Sequence, residues 1–321
     1  MKAKLIINPV AGKRSWKRNV NAIINILVEK KVLTHADFCW TQKPRDAFRL
    51  ASSLQKSQYD FVLGVGGDGT INEIVNGLLQ GASAIPLAIF PTGTVNDFAT
   101  YLRLPNDPSL YAAMIEAFHI KAIDVGQCGP SYFLNVAGGG LLTDIAYKVP
   151  GNSKAVFGAL AYYLEGVLDL PGRMSESELL TFTTPDDAFT LDTSLFLVSN
   201  TTSIGGIRNL APKARIDDGL LDVLIFEKLA WHDWPILVSQ LLAGELPAHP
   251  KLHYFQAPEI RIVQAGSFPG SFPGSFPDSF PGNPPGKLPS RCYPLDLDGE
   301  LVGHLPASIR VLPAAFPLIV P

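Results

Sequence analysis

The feature that most constrains this chain is a glycine-rich junction between an apolar strand and an amphipathic helix. Phe61-Val62-Leu63-Gly64-Val65 has the length and composition of a buried strand. It runs into Gly66-Gly67-Asp68-Gly69-Thr70, after which Ile71, Ile74, Val75 and Leu78 recur at helical spacing. Glycines at such a junction let the backbone reach positive φ and approach a ligand closely. The start of the helix offers unpaired N–H groups and a dipole that favours phosphate. Asp68 cannot touch a phosphate directly, because two anions repel; a divalent cation between them would reconcile the pair. The plainer alternative is a glycine-rich turn with Asp68 as a local cap. A Walker loop is excluded, since no Gly-Lys-Ser/Thr follows.

The junction sits in a series of alternating strands and helices. Leu5-Ile6-Ile7, Phe38-Cys39-Trp40 and Ile85 to Phe90 read as strands. Val20, Ile23, Ile24 and Leu27 mark one helix, Ala47, Leu50, Ala51 and Leu54 a second, and Leu110 to Phe118 a third after Pro108-Ser109. Successive βα units imply a mostly parallel sheet, with ligands beyond the carboxyl ends of its strands. After about residue 122 the pattern becomes antiparallel. Ala122 to Val125 and Tyr132 to Ala137 flank Gly129-Pro130 as a hairpin. Further strands are expected at Leu179 to Phe182, Ser194 to Ser199, Leu220 to Phe226, Glu259 to Val263 and Leu295 to Leu297. Helices are expected near Ser153 to Leu168 and Trp231 to Leu242. Between Ser267 and Gly282, four Ser-Phe-Pro-Gly or Ser-Phe-Pro-Asp units follow one another, with Asn283-Pro284-Pro285-Gly286 behind them. Proline at every fourth position blocks both helix and central strand, so residues 267–286 read as a surface insertion. The alternative is that its phenylalanines dip into a lipid interface.

Other loops share the chemistry of the first. The strand ending at Phe90 leads into Pro91-Thr92-Gly93-Thr94-Val95-Asn96-Asp97-Phe98, again with glycine, hydroxyls and one carboxylate. In a parallel sheet, Asp68 and Asp97 would face the same crevice. The first strand ends in Asn8-Pro9-Val10-Ala11-Gly12, which reads equally as a phosphate-side loop or a turn. Arg215-Ile216-Asp217-Asp218-Gly219-Leu220 could hold a hard cation or be an acidic turn. Leu295-Asp296-Leu297-Asp298-Gly299-Glu300 has the spacing of a β-hairpin turn, and spacing alone favours a solvated one.

Composition narrows the function. Lys and Arg total 26 against 29 Asp and Glu, a net charge of -3 that disfavours a general nucleic-acid binder. Cys39, Cys128 and Cys292 are odd in number and far apart, which fits neither a disulfide framework nor a zinc cage. No apolar run has the length of a membrane span. The expectation is a cytoplasmic protein.

Taken together, Asn8-Pro9-x-x-Gly12, Gly66-Gly67-Asp68-Gly69-Thr70-x-Asn72-Glu73, Pro91-x-Gly93-Thr94-x-Asn96-Asp97-Phe98 and Asp298-Gly299-Glu300 resemble the diacylglycerol kinase catalytic family. That family includes YegS-like, sphingosine and ceramide kinases. Gly-Gly-Asp-Gly-Thr alone is shared with NAD kinases, and a Gly-Gly-Asp-Gly loop with phosphofructokinases. The resemblance implies an α/β fold: an ATP-binding α/β domain with a parallel sheet at 1–128, completed by 306–321, and an antiparallel β-sandwich lipid domain at 129–305. It implies ATP at Asn8, Thr41, Gly66, Gly67, Asp68, Gly69, Thr70, Ile71, Asn72 and Thr94. Near Thr41 this chain departs from the pattern, with Arg45 where relatives often carry glycine before the Asp46-Ala47 pair. Glu300 is implied as the general base, with Asp68 and Asp97 catalytic. Asp68, Asp97 and Asp124 are implied in a catalytic Mg2+ network, and Arg215, Asp218 and Leu220 in a structural Mg2+ site. The implied partner is a diacylglycerol-like membrane lipid met by transient peripheral association, and the resemblance allows a homodimer. Two alternatives stay open: an NAD kinase-like phosphotransferase, and a non-catalytic lipid or nucleotide sensor.

Overall fold

A computed structural model describes residues 1–12, 16–140, 177–230, 232–265 and 293–321. Strands and helices alternate at first: β1 (Lys2–Ile7), α1 (Trp16–Glu29), β2 (His35–Trp40), α2 (Asp46–Ser52), β3 (Phe61–Gly66), α3 (Asp68–Gln80), β4 (Leu87–Pro91), α4 (Asp97–Tyr101) and α5 (Pro108–Ala117). Their strands pair in parallel in the order β2, β1, β3, β4. β3 is buried along its whole length, as its unbroken apolar run requires. α1 turns Val20, Ile23 and Leu27 into the core, the stripe read from the sequence. α2 stops at Ser52, so Leu54 packs from beyond the helix end. Asp107 begins α5 by accepting hydrogen bonds from the amides of Ser109 and Leu110, with Pro108 in the first turn where its missing N–H costs nothing.

The later strands are β5 (Ile120–Cys128), β6 (Ser131–Phe133), β7 (Val136–Gly140), β8 (Glu178–Thr183), β9 (Ala188–Ser199) and β10 (Leu221–Glu227). Helix α6 (Trp234–Leu242) follows, then β11 (Leu252–Ala257), β12 (Glu259–Gln264), β13 (Pro294–Leu297), β14 (Glu300–His304) and β15 (Ala307–Ile319). The pairings among β5 to β14 are antiparallel and build a β-sandwich. The run expected as one strand over Tyr132 to Ala137 is in fact two. β6 folds back on β5, whereas β7 leaves to pair with β9 and β13. The break at residues 134–135 exists because their amides turn toward the Asp298 carboxylate. The helix expected at Ser153 to Leu168 and the Ser-Phe-Pro repeat lie outside the described residues.

β15 joins the two architectures. Its first residues pair with β12 of the sandwich, and Leu318 pairs in parallel with Leu87 of β4. Along its length it lies antiparallel to β5, with a register shift between Leu312 and Phe316. The parallel sheet and the sandwich are therefore hydrogen-bonded into one continuous sheet. Among the described residues, no helix is long and apolar enough to cross a membrane.

Candidate active site

The phosphate-side loops lie side by side at one sheet edge. The pairing of parallel strands continues past their ends: Thr41 N–H donates to Ile7, Asn8 N–H to Val65 and Thr92 N–H to Gly66. This places Thr41, Asn8, Gly66 and Thr92 in neighbouring positions. Asn8 Nδ2 donates to Thr70 Oγ1 at 2.9 Å, linking the first loop to the second. Gly12 has φ +66°, and a Cβ there would sit 1.6 Å from the Thr92 carbonyl oxygen. No other residue fits, so the first loop closes over the third. Gly67 and Gly93 meet the same way: a Cβ on Gly93 would lie 2.7 Å from the Gly67 Cα. A Cβ on Gly69 would meet nothing within 4 Å, so the loop opens outward there, at the start of α3. Thr94 is exposed, Asn72 is buried and held by Asn76 Nδ2 at 2.8 Å, and the Ile71 side chain is in the core. Ile71 therefore has only its backbone to offer a nucleotide.

Asp68 is the first residue of α3, and its Oδ1 faces the Phe98 amide of α4 at 3.4 Å. Asp97 begins α4, and the Gly206 amide donates to its two oxygens at 3.2 and 3.3 Å. Asp298 and Gly299 form the two-residue turn between β13 and β14, both at positive φ as an Asp-Gly hairpin requires. This turn is not solvated. The Asp298 carboxylate accepts the amides of Leu134, Asn135 and Val136 at 2.7 to 2.9 Å, and Gly299 donates to the buried Asp296. The turn is thus pinned at the junction of the two architectures.

These carboxylates feel one another. Burial, and then the charge of Asp68, push Asp97 up to about 7, with Asp298 adding to the effect. Burial also raises Asp298 to about 7 against the pull of its three amides, with Asp68 contributing. Asp68 moves upward too, chiefly through burial. Asp296 rises to about 8, first from burial and then from Asp298 and Glu300. Three segments far apart in sequence therefore bring Asp68, Asp97 and the Asp298-Gly299-Glu300 turn into one electrostatic neighbourhood. In the sequence Asp298 stands only as part of the Asp298-Gly299-Glu300 motif, since its partners across residues 134–136 leave no local signal.

Among the described residues, no group of three or more His, Cys, Asp or Glu side chains is arranged as a metal cage. Magnesium does not require one, since it commonly takes one or two carboxylates and completes its shell with water and phosphate. Buried carboxylates gathered from two loops supply oxygen donors that fit such a hard cation, and Asp68 and Asp97 each begin a helix on the nucleotide side.

Asp124 does something else. Its Oδ2 accepts the Gly219 amide and its Oδ1 the Ala314 amide, both at 2.7 Å. Its hydrogen bonds run to the 215–220 loop and to β15, not to Asp68 or Asp97. Asp218 is raised by burial first, with the charge of Asp124 contributing, so Asp124 neighbours the loop expected to hold structural magnesium. Within that loop the Leu220 amide donates to Asp218 Oδ1 at 3.1 Å. The Arg215 side chain pairs with Asp217, which also binds Lys121 at 2.7 Å, leaving the Arg215 carbonyl as its available ligand atom.

Comparison with known proteins identifies the family. The model of the diacylglycerol kinase catalytic domain matches residues 2–128, and that of the YegS C-terminal NAD kinase beta sandwich-like domain matches residues 144–320. The diacylglycerol kinase of Staphylococcus saprophyticus is 34% identical over 261 residues, covering 81% of this chain and 84% of the relative. That of Bacillus subtilis is 34% identical over 265 residues, covering 81% and 85%. The crystal structure of a diacylglycerol kinase from Bacillus anthracis superimposes with a TM-score of 0.73 at 23% identity, covering 100% of this chain and 97% of that one, and speaks to the fold. The chain belongs to the diacylglycerol kinase catalytic family, a family of lipid kinases.

Proposed function

We propose that this chain is an ATP- and magnesium-dependent lipid kinase that phosphorylates diacylglycerol to phosphatidic acid at a membrane surface. The observation that carries the reading is the meeting of Asp68 and Asp97, from two nucleotide-side loops, with the Asp298-Gly299-Glu300 turn of the sandwich. In this reading the backbone at Gly66 to Thr70 and the start of α3 hold the ATP phosphates, with Asn8, Thr41, Asn72 and Thr94 around them. Bound magnesium supplies neutralising charge on those phosphates, with Asp68 and Asp97 as its protein anchors. Glu300, directly after the pinned turn, accepts the proton of the acceptor hydroxyl. The hydroxyl oxygen bonds to the γ-phosphorus as the bond to the ADP oxygen breaks.

A lipid acceptor is favoured over a soluble dinucleotide by the relatives, diacylglycerol kinases 34% identical over 81% of this chain. The test offers the protein magnesium and labelled ATP with either total lipid extract or NAD. Label in phosphatidic acid is the expected result. Label in NAD and none in lipid overturns the reading.

A further inference from the structure

Glu73, the last residue of the glycine-loop motif, has no place in the chemistry above, yet it makes two specific contacts. Its Oε1 accepts the Arg45 amide at 3.0 Å and its Oε2 the Ala47 amide at 3.2 Å. Arg45 ends the connection between β2 and α2, the segment that carries Thr41, and Ala47 lies in the first turn of α2. Asp46 holds the same segment from within, its Oδ2 accepting the amides of Gln42 and Lys43 at 2.9 and 3.2 Å. The segment needs holding, because Arg45 lies in the left-handed region at φ +67°. A residue with a Cβ adopts that conformation at a cost that the surroundings must offset. Gly77 in α3 and Gly81 at its C-terminal cap bring the helix close against α2. A Cβ on Gly77 would be 2.5 Å from the Phe48 carbonyl oxygen, and one on Gly81 would be 2.7 Å from that of Ser52.

We propose that Glu73 is a positioning residue for the nucleotide. α3 begins at Asp68 in the phosphate loop, and the side chain of Glu73 carries that placement across to the Thr41 segment. One helix then sets both sides of the nucleotide site relative to each other. Magnesium and the acceptor hydroxyl are met elsewhere, so Glu73 governs ATP affinity rather than turnover. The inference rests on the nucleotide reading of the preceding section.

The test is Glu73→Gln, which keeps the size but replaces one acceptor oxygen with an amide group that faces a donor. KM for ATP should rise about tenfold with kcat within about twofold, the size of one lost hydrogen bond to a charged group. Hydrogen exchange at the Arg45 and Ala47 amides should accelerate without nucleotide present. Adding Arg45→Gly, which frees the backbone to adopt the left-handed turn, should recover part of the lost affinity. A folded Glu73→Gln protein with unchanged KM, or with reduced kcat at unchanged KM, overturns the proposal. If the variant does not fold, exchange in the wild type decides: ATP with magnesium should protect the amides of residues 42–47 together with those of residues 66–72. Protection of residues 66–72 alone overturns the role of Glu73 but leaves the nucleotide reading standing. A wild type that binds no ATP overturns both.

Discussion

Two sets of acidic residues in this molecule are handled in opposite ways. Asp46 and Asp217 are satisfied. Backbone amides, the Gln42 amide foremost, hold Asp46 below the usual carboxylate range, and Lys121 with Arg215 does the same for Asp217. Asp124 belongs with them, each oxygen held at 2.7 Å by a backbone amide. Asp68, Asp97 and Asp298 are crowded instead: burial raises all three, and repulsion from neighbouring carboxylates adds to it for Asp97 and Asp298. For Asp46 and Asp217 the hydrogen bonds and ion pairs outweigh burial. For Asp68, Asp97 and Asp298 burial outweighs the amides they accept, and such perturbed groups mark a candidate site.

The largest way to sharpen this contrast is at the turn itself. Glu300→Gln should cut turnover by about 100-fold or more, the range for loss of a general base, while ATP binding and the denaturation midpoint hold. Near-normal kcat would reject Glu300 as the base. Asp68→Asn should shift the magnesium titration of activity to higher concentration, and an unmoved titration would take Asp68 out of the metal site.

The satisfied set predicts losses of stability instead. Asp124→Ala removes the acceptor of the Gly219 and Ala314 amides and should cost about 1–3 kcal/mol in urea denaturation, the range for two partly exposed hydrogen bonds. A variant as stable as wild type would mean that the bridge between β5, β15 and the 215–220 loop carries no load.

The crowded set has a pH signature. Asp97 keeps its proton to about 7 when folded but to about 4 when unfolded. The folded state therefore binds more protons between those values, and this stabilising contribution fades as pH rises from about 4 to about 7. Without divalent ions, Asp97→Asn should be less sensitive to pH over that window and about 1–3 kcal/mol more stable than wild type at pH 8. Parallel stability curves for the two proteins would contradict the crowding. The smallest effect belongs to Asp217→Asn, about 0.5 kcal/mol or less, since its partners are largely solvent-exposed. A loss of several kcal/mol there would blur the distinction between the sets.

Much of the fold was readable because its signals are local. The apolar run of β3, the stripes of α1 and α3 and the Asp-Gly turn each follow from neighbours a few residues apart. The misread strand over residues 132–137 failed for the opposite reason, since its break is dictated by a carboxylate more than 160 positions away. β11 and β15 were missed as well. The exposed pair Pro313-Ala314 in the middle of β15 interrupts its alternation, and the Ala314 amide is held by Asp124.

The sequence by itself determined which loops could carry phosphate chemistry, because glycine, hydroxyl and carboxylate at a strand end are a property of the local chain. It also determined that Asp298-Gly299 turns. Only the tertiary structure decided that this turn is buried against residues 134–136 and that Asp298 joins Asp68 and Asp97. It alone separated Asp124 from them and gave Glu73 its two amides. Charge and hydrogen bonding act through space, so whether a carboxylate is crowded or satisfied depends on donors that the order of residues does not put beside it.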